Sequence, residues 1–232
     1  RELYKKNIIA IRGSFRPVTK VNVDMYRKSL SIFEKEPNSD PDNSLVIFEI
    51  TLSNLMTTGT IDEEDFMDRA RLLCSLGQTV MISNFKEYYR LAEYFSEYTK
   101  KKIRLTMGVN NLIEIFNEKY YRNLSGGILE AFGKLFFKNL KVYLYPIIDP
   151  KTGNIIDSNT LRVNPRLKEL YNFFKYNDKV VDILDYNTED MKIFSRDILE
   201  QIKKGEKGWE NKLPEGVSKL ITNKKLFGYK SK

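Results

Sequence analysis

Short apolar runs alternate with amphipathic stretches along nearly the whole chain, and this alternation limits the available folds more than any single residue does. Strand-like runs occupy residues 7–12, 45–51, 79–83, 103–107, 140–148 and 180–184, and helical periodicity occupies 23–35, 62–76, 85–98, 111–121, 127–137 and 165–176. Strand followed by helix followed by strand predicts right-handed βαβ crossovers, and so an α/β fold: a doubly wound, mostly parallel Rossmann-like sheet with helices on both faces. No repeat, low-complexity tract or linker divides the sequence, so residues 1–232 are expected to form a single domain. Because the sequence opens on Arg1 rather than methionine, a processed chain or a piece of a longer one is expected. Ligands of such sheets bind beyond the carboxyl ends of the strands. The loops of interest are therefore 13–22, 51–60, 83–86 and 108–111, while 37–43 reads as a surface turn and 149–154 as a hairpin or loop tip.

The first of these corners is the most informative. Ile8, Ile9, Ala10 and Ile11 form a run suited to a strand covered on both faces, and Gly13 ends it. Glycine there is expected to take a positive φ and to let backbone N–H groups approach a phosphate, with Asn22 or Asp24 capping a helix that carries Met25, Leu30 and Phe33. An ordinary strand-to-helix turn accounts for the same residues equally well.

Composition narrows the chemistry. The chain has no histidine, which excludes Ser-His, Cys-His and His-metal sites. Its single cysteine, Cys74, excludes an internal disulfide and reads as a small core residue in an apolar helical stretch. Any catalysis must use carboxylates, hydroxyls, lysines, arginines, backbone amides or a bound metal. A formal charge of +8 favours anionic partners. The lysines are scattered, however, and no basic-aromatic nucleic-acid module is present, so the expected partner is a nucleotide or another anionic small molecule, not nucleic acid. No apolar run approaches the roughly 20 residues of a spanning helix and no signal pattern opens the chain, so a cytoplasmic protein without membrane insertion is expected.

Three segments, in order, carry a resemblance. The first is Gly13-Ser14-Phe15-Arg16-Pro17-Val18-Thr19-Lys20-Val21-Asn22; the second is Leu105-Thr106-Met107-Gly108-Val109-Asn110-Asn111-Leu112 followed by Phe116, Tyr120 and Tyr121. The third runs from Ile193-Phe194-Ser195-Arg196-Asp197-Ile198-Leu199 through Lys203-Lys204-Gly205 to Leu213-Pro214-Glu215-Gly216-Val217-Ser218-Lys219-Leu220-Ile221. Together they resemble the nicotinate and nicotinamide mononucleotide adenylyltransferases, with their G-x-F-x-P loop, G-x-D turn and late I-S-S-T-x-I-R helix start. The resemblance spans nearly the whole chain. It implies a role in NAD biosynthesis, with transfer of AMP from ATP, as its Mg complex, to a mononucleotide, and no protein-bound metal.

Carried over by position, it makes Thr19 and Asn22 the catalytic candidates. Gly13, Ser14, Phe15, Lys20, Gly108, Asn110, Ser195 and Arg196 become the nucleotide-binding candidates. The departures fall on the chemistry: Thr19 and Asn22 stand at the family's two histidines, Val21 at a glycine, Asn110 at an aspartate and Leu199 at a phosphate-contacting arginine. Loss of a charged donor at Asn22 is worth about 2–4 kcal/mol of transition-state stabilisation. Arg196, one turn before Leu199, and Lys20 with Arg16 are the available compensating charges. The alternative is a non-catalytic nucleotide-sensing or protein-interaction module that keeps the fold, with an oligomer or partner protein in place of chemistry.

Other residues read more plainly. Glu49 is expected to reach the ligand crevice or to be an inward carboxylate paired with a lysine. Ser83-Asn84 ends a strand at the ligand face. The Tyr88-Tyr89, Tyr94-Phe95 and Tyr120-Tyr121 pairs read as core or interface aromatics, and Asp62-Glu63-Glu64-Asp65 as charges favoured by a helix dipole. Ser195 is expected to cap its helix, with or without a phosphate, and 203–207 to be an exposed turn.

Overall fold

A computed structural model describes residues 2–52 and 63–230. Its elements run β1 (Asn7–Arg12), α1 (Lys20–Glu34), β2 (Ser44–Thr51), α2 (Glu63–Ser75), β3 (Thr79–Ser83), α3 (Tyr88–Tyr98), β4 (Ile103–Gly108), α4 (Val109–Ile115), α5 (Gly127–Leu135) and β5 (Leu140–Tyr145). They continue β6 (Ile147–Ile148), β7 (Ile155–Ile156), α6 (Lys168–Tyr176), β8 (Val180–Asp182), α7 (Ser195–Lys204) and α8 (Val217–Lys224). Six strands form one sheet in the order β3-β2-β1-β4-β5-β8. The pairs β1–β4, β2–β3, β4–β5 and β5–β8 are parallel, as the alternation predicts. Every residue of β1 is buried, the mark of a strand covered on both faces.

By internal contacts the chain divides into two interleaved units. One comprises Arg1–Ile11, Lys28–Val46 and Phe85–Asp185; the other comprises Arg12–Arg27, Ile47–Asn84 and Tyr186–Lys232. In the first, the registers Ile8↔Ile103 and Ile103↔Leu140 stack branched side chains into a core. A second cluster joins α5 to α6, with Phe136 stacked on Phe174 at 4.2 Å and Phe116 edge-on to Phe132 at 4.8 Å. Glu36, just past α1, is tied to this unit by Arg104 through 2.5 and 2.7 Å bonds and by the Tyr143 hydroxyl at 2.5 Å. In the second unit Ile198, Ile202, Trp209, Val217, Ile221 and Phe227 are buried, and the Phe227 N–H donates to Asp68 at 2.9 Å.

Several expected elements end elsewhere. Pro146 stops β5 at Tyr145, and the remaining Ile147-Ile148 pairs antiparallel with Ile155-Ile156, so 149–154 is a hairpin tip as read. The helix expected over 111–121 breaks into α4 and a 3-10 turn at Glu118–Tyr121, because the Asn117 side chain accepts from the Lys119 N–H and opens a new cap. Cys74 is exposed on α2 rather than packed in the core, since the buried stripe of that helix falls on Leu72 and Leu73. The expected loop at 51–60 and the position Asp62 lie largely outside the described residues.

Candidate functional site

Arg12 closes β1 with its charge buried, an arrangement that needs a partner. Glu49 on β2, fully buried, supplies it: Arg12 Nε lies 2.5 Å from Oε2 and Nη2 donates to Oε1 at 3.0 Å. The Ser83 hydroxyl at the end of β3 donates to the same carboxylate. Glu49 is thus inward and ion-paired, with an arginine rather than the expected lysine. Its backbone carbonyl also accepts the Gly13 N–H at 3.2 Å, so that amide continues the ladder instead of facing a ligand.

The turn that follows is held by packing. Gly13 does not take a positive φ; Phe15 does, at 47°, and this corrects the expected role of the glycine. A Cβ on Gly13 would stand 2.9 Å from the Phe15 ring, so glycine is required for close approach. The ring is buried against Phe48 at 5.3 Å between centroids, which holds the backbone in a region bulky residues rarely occupy. The Arg16-Pro17 peptide that follows is cis. Among the described residues, the N–H groups of Ser14, Phe15 and Arg16 donate to no partner. Ser14 is exposed, and its carbonyl accepts from Arg69 at 3.3 Å.

The start of α1 differs from expectation in a definite way. Its first residue is Lys20, so neither Asn22 nor Asp24 is the cap. Asn22 sits in the first turn and reaches back: its Oδ1 accepts from the Thr19 N–H at 2.9 Å and from the Thr19 hydroxyl at 3.1 Å. This is the return half of a capping box. Thr19 is buried and directs both its donors to Asn22, whereas the amide NH₂ of Asn22 donates to no partner among the described residues; Lys20 is exposed.

The approach to α7 lies in the same unit. The Asn187 N–H donates to Asp24 on α1 at 3.1 Å. Asp190 has its pKa raised, first by burial and then by Asp24 and Glu189, with Lys20 opposing the rise. Ser195 is the first residue of α7 and makes no cap; Phe194 precedes it, with no side-chain cap bond, which corrects the expected Ser195 cap. Arg196 is exposed, and among the described residues no hydrogen bond joins Ser195 or Arg196 to the loop 13–22. In the other unit, Gly108 precedes α4 with φ −81° and Asn110 is exposed in its first turn.

The remaining candidates are structural in form. Tyr89, Tyr121 and Phe95 are buried, as read for the aromatic pairs. In the acidic run, Glu63 and Glu64 are exposed in the first turn of α2, whereas Asp65 is buried between Arg16 and Arg69 and does more than answer a helix dipole. Lys203 and Lys204 are exposed in the last turn of α7, which ends at Gly205 with φ 65°. No group of three or more acidic or cysteine side chains suited to a metal occurs among the described residues. Nor, among them, is any helix long and apolar enough to cross a membrane. Sequence reasoning singled out Glu49 and Ser83 separately but missed Arg12 as their partner, although a charge closing the apolar run of β1 was its visible signal.

No protein-family model matches the chain, and no curated protein matches it. Solved structures do. Plasmodium falciparum nicotinic acid mononucleotide adenylyltransferase complexed with NaAD matches with a TM-score of 0.60 at 14% identity, covering 97% of this chain and 98% of that chain. The same enzyme complexed with APC matches with a TM-score of 0.56 at 12% identity and the same coverage. At such identities the likeness establishes the fold, which is the one implied by the three sequence segments.

Proposed function

We propose that the chain is a cytoplasmic nucleotide-binding protein that transfers the adenylyl group of ATP to a nicotinate or nicotinamide mononucleotide or a related phosphate-bearing acceptor. One observation carries the reading: three successive N–H groups, of Ser14, Phe15 and Arg16, stand without partners among the described residues, in a loop that leads into a helix of 15 residues. Successive free N–H groups beside a residue of positive φ are the elements from which an anion-binding nest is built. The full-length match to an adenylyltransferase supports the choice of anion, a nucleotide polyphosphate.

In the proposed reaction an acceptor phosphate oxygen attacks the α-phosphorus of ATP, that P–O bond forms as the bond to the β-phosphate oxygen breaks, and pyrophosphate leaves. Magnesium enters with ATP as part of the substrate. The amide NH₂ of Asn22 donates to the phosphates, and Thr19 holds Asn22 in position. Lys20 adds a point charge. Ser195 and Arg196 are assigned to the triphosphate end, and Gly108 and Asn110 to the nucleotide, on the resemblance.

Purified protein incubated at high concentration with ATP, Mg²⁺ and nicotinate mononucleotide or nicotinamide mononucleotide is expected to release pyrophosphate above a protein-free blank. Absence of release sinks the transfer. Calorimetric binding of ATP or NaAD without release establishes the non-catalytic sensing module instead, which the uncharged Asn22 and Asn110 and the apolar Leu199 would explain.

A further inference from the structure

Two guanidinium groups share one carboxylate beside the glycine loop. Arg16 Nε lies 2.5 Å from Asp65 Oδ1, and Arg69 Nη2 binds Oδ2 of the same residue. Arg69 is fastened twice, because its Nη1 also donates to the Ser14 carbonyl at 3.3 Å. Its side chain is 4% exposed and that of Asp65 6%. Arg16 differs. It is 27% exposed and held through Nε alone, and the four N–H donors of its two Nη atoms have no partner among the described residues. Neither Glu63 nor Glu64 pairs with it there.

We propose that Arg16 binds the phosphate chain of the ligand, with Asp65 and Arg69 as the residues that position it; this rests on the nucleotide reading above. The Arg16 guanidinium lies one or two residues along from the N–H groups of Ser14 and Phe15, which, like the backbone N–H of Arg16, donate to no partner among the described residues. Arg16 thereby offers backbone and side-chain donors from one residue. A planar fork suits paired phosphate oxygens, so the chemical class recognised is a polyphosphate rather than a nucleoside. The charge also stands in for the one that Asn22 lacks. A purely structural tie between the loop and α2 is the competing role for Arg16, and it predicts equal losses for every ligand.

The test measures binding of ATP, adenosine and inorganic tripolyphosphate to the whole chain by calorimetry, with melting temperatures recorded in parallel. R16Q is expected to weaken ATP and tripolyphosphate by about ten-fold or more while adenosine affinity and melting temperature hold. R16K keeps the charge and loses the fork, and its loss is expected to be smaller but confined to the same two ligands; it carries the test if R16Q does not fold. Equal losses for ATP and adenosine, or no loss in either variant, overturn the proposal. The two readings fail separately: ATP binding insensitive to both variants removes only the role of Arg16. Arg16-dependent tripolyphosphate binding with ATP bound no more tightly removes only the nucleotide. Binding of none of the three probes by the wild type removes both.

Discussion

Gly13 and Glu36 show how much of this protein is set by single contacts. At Gly13 the constraint is space, since an added Cβ meets the Phe15 ring at 2.9 Å and that ring is locked against Phe48. Gly13→Ala is expected to lower stability by about 1–3 kcal/mol, the range for an overpacked site, and to weaken ATP binding with it. Urea melts and calorimetry check this, and an unchanged midpoint would show that the ring can move aside. At Glu36 the constraint is charge. Burial pushes its carboxyl up, but the Arg104 hydrogen bond and charge, the Tyr143 hydroxyl and Lys102 outweigh it and hold the pKa at about 2, against an ordinary 4.5. A depressed carboxyl stabilises the fold above the unfolded value and loses that contribution as pH falls toward the folded one, so the effect fades between about pH 5 and pH 2. Its full size is on the order of 3 kcal/mol. Glu36→Gln is therefore expected to be destabilised at pH 7 and to approach the wild type near pH 2, as read from urea midpoints across that range.

Elements come next, and here the start of α1 separates stability from binding. Asn22 accepts from the Thr19 N–H and hydroxyl, so Asn22→Ala is expected to cost about 1 kcal/mol through the lost cap. Asn22→Asp keeps an acceptor there and adds a negative charge that the helix dipole favours, so its melting temperature should hold. The same carboxylate repels phosphate, so its ATP affinity should fall about ten-fold or more. Equal ATP affinities for the aspartate variant and the wild type would falsify the placement of phosphate at this helix start. Elements were the most legible part of the sequence. β1 and β3 each end one residue past their apolar runs, at Arg12 and Ser83, where Gly13 and Asn84 follow at once. The 3-10 break after α4 was hidden, since it depends on one side chain, Asn117, closing on a backbone N–H two residues on. The site was legible only as a corner. Which atoms are free there depends on pairings such as Glu49 with Gly13 and Asp65 with Arg16, across 36 or more positions of sequence, and no local pattern encodes them.

At the scale of the whole molecule, the absence of histidine and the charge of +8 act together. Without imidazole, no side chain has an ordinary pKa between 5 and 8, so the proposed transfer must run on positioning and electrostatics. Adenylyl transfer suits this, since an ionised acceptor phosphate is already a nucleophile and gives up no proton to a base. The acceptor phosphate and Asp190 then contribute to the pH response with opposite signs. The acceptor phosphate ionises with a second pKa near 6, so pyrophosphate release should rise with pH through about 6 and be level from about 7 to 8.5. Asp190 has a raised pKa from burial, Asp24 and Glu189. Its protonation removes a negative charge beside Lys20, so the ATP affinity of Asp190→Asn relative to the wild type, a ratio in which the ionisation of ATP itself cancels, should exceed one at pH 7 and fall toward one as pH is lowered. Asp190→Asn should leave the midpoint of the transfer limb where it was. A transfer midpoint that moves with Asp190→Asn would assign the limb to the protein rather than to the acceptor. Added salt should lower ATP affinity in both proteins alike, because screening weakens the general field of the cationic surface and leaves the buried Arg12-Glu49 pair nearly untouched.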